Sequence, residues 1–298
     1  MASKVKSLYE KGIIKNIPSF VKETHYETIM GSVAYGVSND MSDVDVYGFT
    51  IPPKDYIFPH LAGHIEGFGK KPQSFEQWQQ HHIKVEEKGQ EREYDFQIFN
   101  IVKYFQLVME NNPNMIDSLF TPNSCVLHQS KIGQMIRSNR GIFLHKGSWY
   151  KFKGYAFSQL SKAKNKQPIG KRKEIIEKMG FDVKFAYHVV RLIDEVEQIF
   201  TTGTINLQRA KDHLRAIRRG EVPFEEIEKW FQEKELGMEK LYHESNIIPY
   251  APDEDKIKQL LLDCLEEYYG SIENSIVRVD KADIILKEIA DKIRQSGY

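Results

Sequence analysis

With 298 residues, 12% of them aromatic and 28% charged, the chain can bury a substantial core, which excludes a disordered polymer and allows one large or two modest domains. Its 42 basic and 42 acidic residues cancel, which argues against the global positive field of a sequence-independent nucleic-acid binder. Two cysteines, Cys125 and Cys264, are too few for a disulfide framework or a cysteine-rich zinc site, and no segment reaches the length of a membrane span, so a soluble cytoplasmic protein is expected.

Residues 6–17 read as a short helix leading into the first strand. Residues 27–30 are strand-like and end at Gly31, where the missing Cβ lets backbone amides approach a ligand closely. A helix opening at Ser32 and ending near Gly36 would turn its unpaired N–H groups and the Ser32 hydroxyl toward an anion, so Gly31 and Ser32 are candidate phosphate ligands. Residues 43–51 then alternate as a strand of about nine residues, stopped by Pro52 and Pro53. Asp43 and Asp45 share one face of it, and Val44 and Val46 point the other way into a core. Two carboxylates this close repel unless a cation lies between them, and hard oxygen donors suit Mg²⁺ or Mn²⁺ better than zinc.

Residues 52–91 are polar, broken by glycines and a proline, and read as a long insertion whose histidines, His60, His64, His81 and His82, are solvated loop residues without a zinc-ligand spacing. The next run of extended character, residues 91–96, offers a third carboxylate. Asp95 is preferred, at the end of a strand just before an amphipathic helix expected over 98–110, and Glu93 on the same strand face is the reserve.

Beyond Asn112 and Pro113 come a helical turn at 115–120, a short extended piece at 125–127 and a helix at 131–137. After Trp149 nearly everything reads as helix, which divides the chain near residue 145 into an α/β part, 1–145, and a helical part, 146–298. Lys151, Lys153, Lys162, Lys164, Lys166, Lys171, Arg172 and Lys173 occur with no acid between them, interleaved with Tyr150, Phe152, Tyr155 and Phe157. This is an exposed face first and a candidate RNA surface second. Lys184, His188, Arg191 and Glu195 recur at helical spacing. Their stripe either meets a triphosphate, through Lys as a point charge and Arg as a paired donor, or is a solvated face with an Arg191–Glu195 pair.

Taken together, Gly31 and Ser32, Ala34, Tyr35 and Gly36, the run Ser42, Asp43, Val44 and Asp45 with Gly48, and Asp95 resemble the nucleotidyltransferase superfamily that includes DNA polymerase beta. Within it the chain resembles the RNA-ligase-associated partner family of predicted nucleotidyltransferases. Asn112 to Asn114, Gly154 to Ala156 with Gln159, Lys184 with His188 and Arg191, and the run from Ala216 to Glu221 extend the likeness over roughly residues 27–225. The resemblance implies an α+β fold in which a polymerase beta-like domain with a small mixed sheet precedes a helical domain. It implies that Asp43, Asp45 and Asp95 bind Mg²⁺ or Mn²⁺, with Asp95 as general base. Gly31 and Ser32 would hold the triphosphate, with Lys184, His188 and Arg191 completing nucleotide binding and His188 acting as phosphate donor or as general acid. The expected reaction moves a nucleoside monophosphate from an NTP to a hydroxyl acceptor, with an RNA end favoured. Nucleotidylation of a protein side chain and a non-catalytic nucleotide-binding module are the alternatives. No membrane partner is expected.

Overall fold

The computed structural model describes residues 2–38, 43–62, 65, 69, 74–87, 89–165, 173, 176, 177, 179–270, 285, 286, 289, 292 and 293. By compactness the chain divides into a larger unit, residues 1–51 and 76–264, and a smaller one, residues 52–75 and 265–298. The expected boundary at residue 145 falls inside the larger unit.

The larger unit is built on a mixed sheet of five strands: β1 (Thr24–Ile29), β2 (Val44–Thr50), β3 (Gln77–Glu87), β4 (Gln90–Asn100) and β5 (Val126–Gln129), in the order β3-β4-β2-β1-β5. β2 and β4 run parallel, and the other pairs are antiparallel. Strand β2 forms where the sequence alternates: Val44 and Val46 are buried on one face, and Asp45 and Tyr47 are half-buried on the other. Phe49, Phe96 and Ile98 bury completely, and the Phe49 ring packs 5.0 Å from that of Tyr104 on α4 (Ile101–Met109). Side chains of this size contribute about 1.5–3 kcal/mol each on burial, so these strands form the rigid centre of the unit.

Three elements differ from the sequence expectation. The first helix, α1 (Lys4–Glu10), is shorter than expected, because Gly12 takes a positive φ of 70° and the chain folds back, with the Ile13 and Ile14 amides donating to the Leu8 carbonyl. Its start is tied to the sheet by the buried Glu27 carboxylate, which accepts from Ser3 Oγ at 2.6 Å and from the Lys4 amide at 2.5 Å. Second, the polar stretch before residue 91 contains an eleven-residue strand, β3. Its alternation is broken by a bulge between Gln80 and Ile83, where His82 adopts a φ of 58°, and its outer face is polar, so period-two patterning was hidden. Third, β4 continues through Ile98 to Asn100, whose side chain accepts from the Val102 amide at 2.9 Å and starts α4 only at Ile101. Asp95 therefore sits within a strand and not at its end.

Past α5 (Pro113–Phe120) and α6 (Lys131–Ser138), the larger unit becomes helical, with α7 (Ser148–Asn165), α8 (Val183–Thr202), α9 (Lys211–Arg218), α10 (Phe224–Glu244) and most of α11 (Glu254–Tyr269). Helix α8 is the hub, packed against α7, α9 and α10. Asp182 caps its start and Gly203, in the left-handed region, ends it. In the smaller unit, a single turn of helix, α2 having preceded it at Gly31–Ala34, forms α3 (Lys54–Ile57). There the Tyr269 hydroxyl donates to the Pro52 carbonyl and Lys54 lies 5.6 Å over the Tyr269 ring. Among the described residues no helix is long and apolar enough to cross a membrane, and both cysteines are buried and outside any disulfide.

Candidate active site

A cavity of about 480 Å³ in the larger unit is lined by Gly31, Ser32, Asp43, Asp45, Asp95, Lys184 and His188, together with Met30, Tyr35, Tyr47, Asn114, Tyr155, Tyr187 and Arg218. Seven of the eight candidate site residues therefore meet on one concavity, drawn from four separate stretches of chain. Ser42 lies outside the described residues.

The carboxylates are placed by the sheet. Asp45 on β2 and Asp95 on β4 are register partners in the parallel pair, so their side chains leave adjacent strands side by side, and Asp43 stands just before β2. Gly31 follows β1, and the Met30 amide donates to the Asp45 carbonyl at 2.7 Å. A Cβ at Gly31 would lie 2.4 Å from Asp45 Oδ2, and the residue has a φ of 63°, so only glycine lets this turn close over the carboxylate. The helix that Gly31 opens, α2, is a single turn.

Burial pushes the Asp45 carboxyl above its ordinary value, Lys184 opposes the shift, and Asp95 and Asp43 reinforce it. Burial also pushes the Tyr47 phenol up to about 12, with Asp45 adding to the effect. In both groups burial is the larger cause and the neighbouring carboxylates add to it.

Sequence reasoning missed what surrounds Asp95. The bulge in β3 sets His81 and His82 against it: the His82 amide donates to Asp95 Oδ1 at 2.8 Å, His81 Nδ1 lies 3.4 Å from Oδ2, and His82 Nδ1 contacts Glu93. These two histidines therefore lie in a strand beside Asp95 and not in a loop. Among the described residues, His82, Glu93 and Asp95 form the group of potential metal ligands whose donor atoms all lie within 4.8 Å of one another. The hydrogen bond to Glu93 raises the His82 pKa. A histidine pair spaced for neither helix nor regular strand was the available signal, and without a strand assignment it pointed nowhere.

Arg191 departs from the expected face. Lys184 is exposed at the cavity and His188 is half-buried beside the Tyr187 and Tyr35 rings, but Arg191 is only 2% exposed and does not reach the cavity. It is held by Asp117 of α5, by Glu195 at 3.1 Å and by the Tyr35 hydroxyl at 2.8 Å, and Tyr35 in turn donates to Asp117 at 2.9 Å. The stripe runs from the cavity into the core because α8 is covered by its neighbouring helices along its length; periodicity defines a face but not its depth. Burial raises the pKa of both Asp117 and Glu195, which is what one guanidinium between two enclosed carboxylates demands. Arg191 thus supports the site at one remove, through the Tyr35 ring that it faces at 4.4 Å.

The lysine run is also altered by tertiary contacts. Lys153 pairs with Glu235 and Glu239 at 2.7 and 2.9 Å, Lys151 with Glu110 at 3.6 Å and Lys164 with Glu228 at 3.4 Å. Phe152 is fully buried, Tyr150 and Phe157 are exposed, and Tyr155 lines the cavity. Lys166, Lys171 and Arg172 lie outside the described residues.

Residues 13–272 match the sequence model of RlaP, the RNA repair pathway DNA polymerase beta family. No curated protein and no solved structure matches the chain significantly.

Proposed function

The chain belongs to the RNA repair pathway DNA polymerase beta family, and from that premise we propose that it is a metal-dependent nucleotidyltransferase that moves a nucleoside monophosphate from an NTP to a hydroxyl of an RNA end. The observation that carries this reading is the cavity where Asp45 and Asp95, in register on parallel strands, converge with Asp43, Gly31, Ser32 and Lys184.

The residues fit a divalent cation. Three carboxylates share a cavity with Lys184 and Arg218, a set of hard oxygen donors that suits a divalent ion bound together with a triphosphate. Asp43, Asp45 and Asp95 would hold Mg²⁺ or Mn²⁺, with Glu93 and His82 within reach of the same side of Asp95. When bound, such an ion neutralises phosphate charge and lowers the pKa of the attacking hydroxyl.

The chain's own groups account for the rest. The Gly31 turn closes over Asp45 and brings Ser32 to the cavity, where its hydroxyl donates to the triphosphate, and Lys184 and His188 face the same anion from α8. The acceptor oxygen bonds to the α-phosphorus, the bond to the bridging oxygen of the β-phosphate breaks, and pyrophosphate leaves. The hydroxyl proton passes to the Asp95 carboxylate, whose orientation is fixed by the His82 amide and whose remaining lone pairs can accept it. Tyr155, half-buried in the lining, offers a ring on which a base can stack.

The test is incubation with each NTP radiolabelled at the α-phosphate, Mg²⁺ or Mn²⁺, and short RNAs together with tRNA, followed by denaturing separation. Label on RNA that disappears in Asp43→Asn, with an unchanged circular dichroism spectrum, is the expected result. Label on the protein would replace RNA by a side-chain acceptor. NTP binding without any label would reduce the site to a binding module.

A further inference from the structure

A second cavity, of about 600 Å³, adjoins the first and shares Lys184 and Arg218 with it. Arg215 and Arg219 of the α9 end supply charge, Val37, Ile176, Met179 and Val183 supply apolar surface, and Ser38 and Asp182 complete the lining. The buried Asp182 carboxylate is occupied by the Lys184 and Phe185 amides that it caps. The run from Ala216 to Glu221, part of the family likeness, supplies Arg218 to both cavities and Arg219 to this one.

The arginines are pre-positioned. Arg215 Nε donates to the Gly36 carbonyl at 2.8 Å and Arg218 Nη1 donates to the Val37 carbonyl, while the Arg218 guanidinium lies 5.5 Å over the Tyr187 ring. Each contact uses one of the five N–H donors of a guanidinium and fixes its plane. Arg215 also lies 3.6 Å from Asp212, and Arg219 pairs with Glu221 two residues away, both exposed pairs that a phosphate can replace at little cost.

We propose that this second cavity is the acceptor-strand subsite, in which single-stranded RNA lays its phosphodiester backbone along Arg215, Arg218 and Arg219 and a base against the Val37, Met179 and Val183 wall. The proposal rests on the nucleotidyl-transfer reading of the first cavity and adds where the acceptor strand would lie. The first cavity already has the volume and charge for one nucleotide. A ligand that continues past Lys184 and Arg218 into a space with two more guanidiniums and an apolar wall must carry further phosphates and a further base. A polynucleotide has both in covalent sequence.

The experiment uses the full chain and a short fluorescein-labelled single-stranded RNA, with anisotropy titrations across a salt series. In parallel, ATP, GTP, CTP and UTP are titrated calorimetrically with Mg²⁺. The variants are Arg215→Gln combined with Arg219→Gln, and separately Ile176→Glu, which sets a carboxylate on the half-buried wall without touching an arginine. Loss of two charged phosphate contacts should weaken RNA binding by about tenfold or more. It should also lower the log–log salt slope by about 1.4, at about 0.7 per single-strand phosphate contact. Ile176→Glu should weaken RNA binding as well, and NTP affinity should hold in both variants. RNA affinity and slope unchanged in both would overturn the subsite, as would a fall in NTP affinity matching that for RNA, which would assign the cavity to the nucleotide. If RNA binds through these arginines but receives no label, the subsite stands and the transfer reaction alone fails.

Discussion

The two carboxylate clusters flanking Tyr35 look alike in composition and behave oppositely. Around Arg191, two acids, one cation and a phenol are enclosed in protein, each oriented toward another member of the group. At the cavity, Asp43, Asp45 and Asp95 face open space, with Lys184 and Arg218 as the permanent cations of the lining. The first cluster is closed off from solvent, so its members satisfy one another and brace α5, α8 and the turn after α2. The second opens onto a cavity that a ligand can enter, and that access, not the charge count, is what separates the two.

The comparison breaks most sharply at Arg191. Arg191→Met should cost about 3–5 kcal/mol in urea denaturation, since it strands two buried carboxyls, and replacing Asp117 and Glu195 by leucine in the same variant should recover much of that loss. A variant of normal stability that binds NTP poorly would instead return Arg191 to the phosphate face.

Asp45→Asn is the converse experiment. Transfer should fall by roughly 10³-fold, about 4 kcal/mol of transition-state stabilisation, while the metal-free protein should be no less stable than the parent. The sign follows from the raised folded pKa: folding disfavours the ionised carboxylate, so the contribution of Asp45 to stability is greatest below the ordinary value of 3.8 and is lost as pH rises through the folded pKa. The stability of Asp45→Asn relative to the parent should therefore climb across that window, and a margin that stays flat or falls with pH would mean that the carboxylate is already compensated within the protein.

The smallest effect belongs to the lysines of α7. Lys153→Ala should change stability by no more than about 1 kcal/mol, because its pairs with Glu235 and Glu239 lie near the surface. RNA affinity should be unaltered; a clear drop would restore the α7 run as an RNA surface despite its acidic partners.

Much of the cavity was legible because its parts are local. A glycine at a strand end, the alternation of Asp43 to Val46 and the four-residue spacing of Lys184 and His188 are all consequences of backbone periodicity. Strand β3 was not legible: its bulge breaks the period, and its polar outer face mimics a loop. His81 and His82 became meaningful only once β3 lay against β4. Arg218 and Tyr187 stood inside noticed motifs, but nothing in a linear pattern says that they turn toward Asp45.

What the sequence by itself determined, then, is which residues can share a face: Asp43 with Asp45, Lys184 with His188, Val44 with Val46. Tertiary structure alone decided which faces meet and how deep each one lies. Parallel pairing of β2 with β4 set Asp95 beside Asp45, and helix packing buried Arg191 while leaving Lys184 exposed seven residues away. Acids from α10 neutralised a lysine run that is uninterrupted in the chain. The physical reason is that periodicity follows from the backbone of one element, whereas depth and charge balance depend on atoms brought in from elements far away in sequence.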